Sequence, residues 1–231
     1  MAKTAPDLDA TKVDGRASRW DDHKADRREQ ILRAAVAAVG AHGPEVGVQE
    51  IAERAGVPRS VVYRLFKDRA DLDEHLRLRI LDDLMAHLAP TLTPEGTVRD
   101  AIARAVDTYI GWIVANPQLH HFLGMGSASS PARGARSVTD TKTAIGVQIA
   151  EMLDSVFGKL GLQTEAAESL AFALVGMVDS SINRWLSRSR RPLSAAELSA
   201  YIQQWTWQVL AATAESGGII LVPETQVSDL L

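Results

Sequence analysis

The chain has no cysteine, so disulfides and thiolate metal sites are excluded and a reducing compartment is permitted. Aromatic residues are sparse at 5%, whereas hydrophobic residues reach 46%. That balance favours Ala/Leu/Val-packed helices over a strand-rich barrel. Long apolar runs are lacking as well. The longest nearly uncharged apolar stretch, Ser169 to Val178, is too short to span a bilayer, and the first twenty residues hold no apolar signal-peptide core. The expectation is a cytoplasmic protein with no membrane segment, long enough at 231 residues for a sizeable core and one or two domains.

Signatures of catalysis are equally scarce. Neither GxSxG nor HExxH occurs. His120 and His121 are adjacent, so on a helix they point in different directions and do not form the paired face a metal needs. The run GMGSAS from Gly124 follows no strand pattern and lacks the lysine of a phosphate loop. No catalytic residue, metal or cofactor is expected, and a small-molecule enzyme is disfavoured.

What is present is a punctuated stretch, VQEIAERAGVPRSVVYRLFK, from Val48 to Lys67. Its apolar positions Ile51, Ala55, Val57, Val62 and Leu65 cannot share one continuous helix, because the step from Ala55 to Val57 breaks the 3.6-residue rhythm at Gly56. Two helices and a tight turn fit instead. Gly56 accepts a left-handed backbone at a helix end, Pro58 presets φ for a new helix, and small Ala52 lets the second helix cross the first closely. The second helix, about Arg59 to Phe66, is expected to bury Val62, Leu65 and Phe66. It then exposes Arg59, Ser60, Tyr63, Arg64 and Lys67, groups that reach phosphate oxygens and base edges.

The run GPEVGVQEIAERAGVPRSVVYRLFKDRADL resembles the DNA-binding signature of the TetR-type (tetracycline-repressor-like) transcriptional regulators, over about residues 25 to 85. The likeness lies in the glycine-ended first helix, the IA and AGV pairs, the VY and F that follow, and a basic residue and leucine opening a fourth helix. Val46 and Gly47 replace the usual threonine, Pro58 the usual serine and Leu65 the usual histidine or tyrosine, while Arg69 keeps the charge of the usual lysine. The resemblance implies an all-α protein: an N-terminal three-helix helix-turn-helix DNA-binding domain joined to a helical ligand-binding and dimerisation domain. It implies a homodimeric repressor on a palindromic double-stranded DNA operator, released by a small-molecule effector. Residues 1–22 are expected to form a disordered arm, 23–69 the DNA-binding domain and 70–231 the effector and dimer domain. Arg16, Arg19 and Trp20 in the arm are within the chemistry of a minor-groove contact, although a solvated tail is the plainer reading. Arg27, Lys67 and Arg69 would neutralise phosphates beside the recognition residues.

Net charge is −4, yet its distribution is uneven. From His23 to Arg69 there are nine Lys/Arg against six Asp/Glu, while residues 70 to 231 carry twelve against eighteen. A basic end on an acidic body lets a phosphate backbone orient the molecule, because counterion release depends on local contacts. The competing reading is a dimeric helical ligand-binding or interaction protein that no longer reads DNA, raised by the net acidity and the missing threonine and serine.

Periodicity predicts helices over Asp26–Ala41, Asp68 to Leu88, Thr97–Ala115, Gln118–Met125, Ser137–Leu160, Thr164–Ser187 and Ser194–Glu215, with a loop over Gly126–Arg136 and an irregular tail. Asp68 with Asp71, and Ser194 with Glu197, carry N-terminal capping signals. The helix over 164–187 is apolar on nearly all sides and should be central. With the helix after it, it presents enough apolar surface to seal against a second copy of the chain. Tyr109, Trp112, His121, Phe122, Met125, Met152, Phe157, Phe172, Met177 and Trp185 are the candidate wall of a ligand pocket, plain core being the competing reading of such a stripe. Asp179 and Asn183, four apart amid apolar neighbours, are candidates to anchor a polar ligand group, to face a partner subunit or to bond each other.

Overall fold

The computed structural model describes residues 15–93, 95–125 and 131–231; for 15–22, 131–142 and 144 only the backbone is described. Of the arm expected at 1–22, residues 1–14 lie outside the described residues and 15–22 are helical instead; the centre of the expected loop, 126–130, also lies outside them. The architecture is all-α, as the sequence implied. In chain order the helices are α1 (Gly15–His42), α2 (Val48–Arg54), α3 (Arg59–Leu65), α4 (Arg69–Leu88), α5 (Val98–Ala115), α6 (Pro117–Gly124), α7 (Pro131–Leu160), α8 (Ala167–Leu186), α9 (Ala195–Ser216) and α10 (Val227–Leu230).

Two helices start earlier than periodicity suggested. α1 begins at Gly15, eleven residues before Asp26, because no proline intervenes between Pro6 and Pro44 and nothing breaks the helix before Gly43. α7 begins at Pro131 inside the expected loop, where proline suits a first turn that needs no N–H.

The helix-turn-helix is built as its punctuation dictates. Gly56 takes φ +64° while its N–H bonds to the Glu53 carbonyl at 3.0 Å and the Val57 N–H to the Ala52 carbonyl at 3.0 Å, closing α2 in a left-handed cap. From α1, the Gln30 side-chain amide donates to the Ala55 carbonyl at 2.8 Å, satisfying a terminal group of α2. Gly47 and Pro58 stand at the starts of α2 and α3, and neither helix has a side-chain cap there. The signals read elsewhere are realised: the Asp68 carboxylate accepts from the Asp71 N–H, and Ser194–Glu197 forms a reciprocal capping box; Thr97–Asp100 forms a second one.

Ile31, Ala35, Ala38 and Val39 of α1, Ile51 and Ala52 of α2, Val62 and Phe66 at α3, and Leu72 and Leu76 of α4 pack together without solvent. Leu65, expected inside, is half-buried against this core. The same cluster runs on through Ile80, Leu81, Leu84 and Leu88 to α5, α6, α8 and α9. α8 is less enclosed than its composition suggested. It buries Ala167, Ala171, Leu174, Ile182 and Trp185 but leaves Phe172, Ala173, Gly176, Ser180 and Asn183 exposed, a one-sided helix within a single chain.

Replacing Gly56 with alanine puts a Cβ on a left-handed residue with open space around it, so the cost is conformational alone. Gly56→Ala is expected to lower stability by about 1–2 kcal/mol, read as a drop in the urea midpoint with unchanged slope.

Candidate functional site

α3 presents its polar side to solvent: Arg59, Ser60, Tyr63 and Arg64 are exposed, and Lys67 just beyond it is exposed as well. Arg59 lies over the Tyr63 ring, its guanidinium carbon 5.3 Å from the centroid, and donates to the Tyr63 hydroxyl at 3.2 Å. The pair holds a fork of donors at the leading end of the helix, and no carboxylate occurs within α3 to neutralise it. Arg27 is exposed on α1 and donates to Gln30 at 3.1 Å.

Arg69 is placed differently from a phosphate contact. Its guanidinium donates to the Val46 carbonyl at 2.6 Å and to the Asp73 carboxylate at 2.8 Å, so the charge is engaged inside the domain and ties α4 to the segment before α2. Arg28, which its place beside Arg27 in the helix sequence suggests as a phosphate contact or an exposed residue, instead stacks over Phe66 at 4.9 Å and meets His75 Nε2 at 2.8 Å. Because a guanidinium can only donate, His75 accepts at Nε2, and its Nδ1–H donates to the Asp71 carbonyl at 2.7 Å. These contacts fix the end of α3 from behind and leave its front open.

In the body, α5, α7, α8, α9, the end of α4 and the C-terminal segment line a partly open apolar cavity of about 230 Å³. That exceeds the roughly 150 Å³ of an engineered cavity that takes up benzene. Of the candidate wall, Tyr109, Met152, Phe157 and Asp179 line it; Trp112, His121, Phe122, Met125, Phe172, Met177, Asn183 and Trp185 do not. Trp112 is buried packing α5 on α4, its indole N–H donating to Asp83 at 3.2 Å. Phe122 lies under the buried Arg77 guanidinium at 4.9 Å, and the Met125 carbonyl accepts from Arg77 at 3.0 Å. Trp185 donates to the Leu193 carbonyl at 2.8 Å, Met177 is half-buried, His121 and Asn183 face outward, and the partly exposed Phe172 ring lies against Gly146 of α7.

The missed wall is aliphatic. Ala101, Ala105 and Tyr109 recur every four residues on α5, opposite Ile145, Ile149, Leu153 and Val156 of α7. Small residues leading to a tyrosine on one helical face were the available signal. Leu221, Val227 and Leu230 complete the wall from a tail expected to be irregular. That tail is tied to the start of α5 through Val98 N–H to the Thr225 carbonyl at 2.9 Å, Arg99 N–H to Pro223 at 3.1 Å, and Val227 N–H to Gly96 at 2.9 Å. The Tyr109 hydroxyl donates to Asp179 at 3.3 Å; burial, with the adjacent carboxylate, holds this phenol above its ordinary pKa, so it remains a donor. Thr206 on α9 also lines the cavity, with its hydroxyl oxygen buried and lacking a hydrogen-bond partner.

A cationic recognition helix on a glycine-closed turn, carried by a helical body with its own cavity, is the architecture of helix-turn-helix transcription factors. Residues 31–76 match the family described as bacterial regulatory proteins, tetR family, and residues 87–220 match the tetracyclin repressor-like C-terminal domain. The chain belongs to the TetR family of transcriptional regulators. It is 28% identical to the HTH-type transcriptional regulator Rv0472c of Mycobacterium tuberculosis, over 94% of this chain and 91% of that one. It is 26% identical to the HTH-type transcriptional activator FasR of Mycolicibacterium smegmatis, over 87% and 86%. Among solved structures, a tetR-family regulator from Streptomyces coelicolor superimposes with TM-score 0.66 at 22% identity over 89% and 88% of the two chains. FadR from Bacillus subtilis, solved in complex with stearoyl-CoA, does so with TM-score 0.60 at 17% identity over 77% and 96%. Among the described residues no helix is long and apolar enough to cross a membrane.

The two basic residues after α3 are expected to behave differently when removed. Arg69→Ala should lower stability by about 1–3 kcal/mol through the lost bonds to Val46 and Asp73, whereas Lys67→Ala should leave the thermal midpoint unchanged, both read by calorimetry.

Proposed function

We propose that the protein acts in the cytoplasm as a homodimeric one-component regulator, binding a palindromic DNA operator through two copies of α3 and released by a small-molecule effector. The DNA-reading unit is residues 23–69 and the effector and dimer unit is 70–231. The observation that carries the reading is the exposed face of Arg59, Ser60, Tyr63, Arg64 and Lys67 on a helix whose opposite face is fixed in the core. Arg59 and Tyr63 read base edges, and Ser60, Arg64, Lys67 and Arg27 hold phosphates. Arg69 supports the domain instead.

Dimerisation is supported by the outer faces of α8 and α9. Tyr201, Trp205 and Val209 recur every four residues on α9 and are 47%, 38% and 36% exposed, with the two rings stacked 5.9 Å apart. Phe172 on α8 is 36% exposed. An apolar stripe of this kind, unpartnered in one chain, fits a two-fold seam with its own copy. Two-fold symmetry then matches half-sites about 34–36 Å apart.

The apolar cavity supports an effector-responsive reading, as does the FadR relative solved with stearoyl-CoA. An effector releases DNA only if it binds the released state more tightly than the bound one. The family description names a repressor, and repression is the sign proposed; because the FasR relative is named an activator, promoter output is the measurement that decides it.

Operators are obtained by selection from random-sequence DNA, where an enriched palindrome is expected and its absence favours the helical interaction protein without DNA readout. On a selected site, Lys67→Ala should weaken binding alike across sequences and flatten the log–log salt slope by about one, while Arg59→Ala should cost about 1–3 kcal/mol at its base and relax preference there. Trp205→Asp places a charge in the proposed seam. It is expected to give a folded monomer by sedimentation and to weaken operator binding by about 100-fold or more, and a dimer that survives this change rejects the seam.

A further inference from the structure

The wall of the body cavity is not of one kind. Most of it comes from α4, α5, α7, α8 and α9, helices of 18 to 30 residues. Leu221, Val227 and Leu230 reach it instead from a segment that has no helix over 219–226 and ends in the four-residue α10. Along this segment every second residue from Ile219 to Val227 is buried or half-buried, and the residues between them are exposed. That alternation lays the segment flat on the body as a strap.

Its attachments are local. At the near end Gly218 takes φ +80° and the Ile219 N–H bonds to the Ala214 carbonyl at 3.0 Å, so the chain leaves α9 through a left-handed cap. Gly217 beside it lies so close to Leu162 that a side chain there would collide. At the far end the Thr225 and Pro223 carbonyls accept from the N–H groups of Val98 and Arg99, and the Val227 N–H donates to the Gly96 carbonyl. Val98 and Arg99 open α5, where N–H groups have no partner within the helix, so water can take over both bonds when the strap lifts. Val227 and Leu230 are buried with Val98 in a small cluster of their own, whereas α4, α5, α8 and α9 share the main core and α7 packs on α8. Few buried side chains and replaceable backbone bonds characterise a segment that opens without unfolding the rest.

From the glycine turn, the exchangeable bonds and the separate cluster, and resting on the reading of the cavity as the effector site, we infer that residues 219–231 form a hinged gate through which an apolar effector enters and leaves. Gly217 and Gly218 are the hinge, and the three bonds to residues 96–99 are the latch. Leu221, Val227 and Leu230 leave the wall together when the latch opens.

The absence of cysteine makes the test clean, because one engineered pair meets no competing thiol. Thr97 and Gln226 face each other in an antiparallel bridge, a separation that a disulfide spans. Full-length Thr97→Cys/Gln226→Cys is compared with itself, oxidised and reduced, so the lost Thr97 cap is common to both arms, and closure of the bond is confirmed by mass. Uptake and loss of N-phenyl-1-naphthylamine, an uncharged apolar dye, are followed by stopped-flow fluorescence. Oxidation is expected to slow both by about 100-fold or more, and reduction to reverse the effect. Val227→Ala removes part of the pin without a crosslink and should speed both by about ten-fold. Ala105→Trp fills the cavity from α5 and should abolish uptake.

Dye uptake that Ala105→Trp abolishes but oxidation leaves at the same rate overturns the gate and keeps the cavity as a ligand site. If the pair does not close, Val227→Ala decides, and unchanged rates overturn the gate. No uptake by the parent protein, or uptake indifferent to Ala105→Trp, removes the cavity reading and the gate with it. DNA release is read separately, by fluorescence anisotropy on a selected operator. Where uptake obeys the disulfide while neither saturating dye nor Ala105→Trp alters operator affinity, the gate stands and the effector reading falls.

Discussion

The structure depends on the burial of one apolar stripe along α4. Leu72 and Leu76 close the core of the three N-terminal helices, while Ile80, Leu81, Leu84 and Leu88 on the same helix enter the core of the body. Fewer than fifty residues bury too little surface to be securely stable alone. The N-terminal helices therefore borrow part of their inner wall, Leu72 and Leu76, from α4, and the hydrophobic cluster is continuous from Ile31 to Ile202. Separating the two regions would expose Leu76 and Ile80 together, both fully buried.

With that core in place, the display of α3 is a matter of local geometry. Turn chemistry at Gly56 sets the angle between α2 and α3, and Gln30 reaches from α1 to satisfy the last carbonyl of α2. Phe66 is clamped between the Arg28 guanidinium and the edge of His75, whose ring centroid is 5.6 Å from its own. Three cations near the recognition helix thus divide between two tasks: Arg28 and Arg69 hold the framework, and Arg59 stands outside it. Their sequence context does not distinguish them, since each is an arginine with a charged or hydroxyl-bearing neighbour on at least one side. The difference arises from what α1 and the segment before α2 place opposite them.

This explains which features were legible in the sequence. Gly56, Pro58, Asp68 with Asp71, and Ser194 with Glu197 act within a few residues of themselves, and each is realised as its local chemistry dictates. The exposed face of α3 followed because its inner face had an unambiguous apolar period. The cavity did not follow, because its wall is assembled from α4, α5, α7, α8, α9 and the tail, and large aromatic and methionine side chains are more useful filling gaps between helices than lining one. Trp112 and Phe122 are consumed in that way, packing α5 and α6 against α4. The small residues Ala101 and Ala105 leave the space instead. The tail was unreadable for a related reason: its hydrogen bonds to residues 96–99 join segments more than a hundred residues apart, and no periodicity within the tail encodes them.

The position of the cavity constrains how its contents can bear on α3. Leu88 lines the cavity at one end of α4, and Leu72 packs in the N-terminal core at the other. Between them α4 contains neither glycine nor proline and has no break in its helical run. Sixteen residues of uninterrupted helix span about 24 Å, so a displacement at Leu88 cannot be absorbed within the rod and is carried to its far end. Tyr109 strengthens that link, because Trp112, nearly one turn further along α5, is bonded to Asp83 of α4. Two independent contacts, one aliphatic and one hydrogen-bonded, thus join the cavity wall to the helix that completes the N-terminal core. A ligand that fits the cavity without moving Leu88 or Tyr109 has no differential affinity for any two positions of α4, and binding alone, however tight, then leaves α3 where it was.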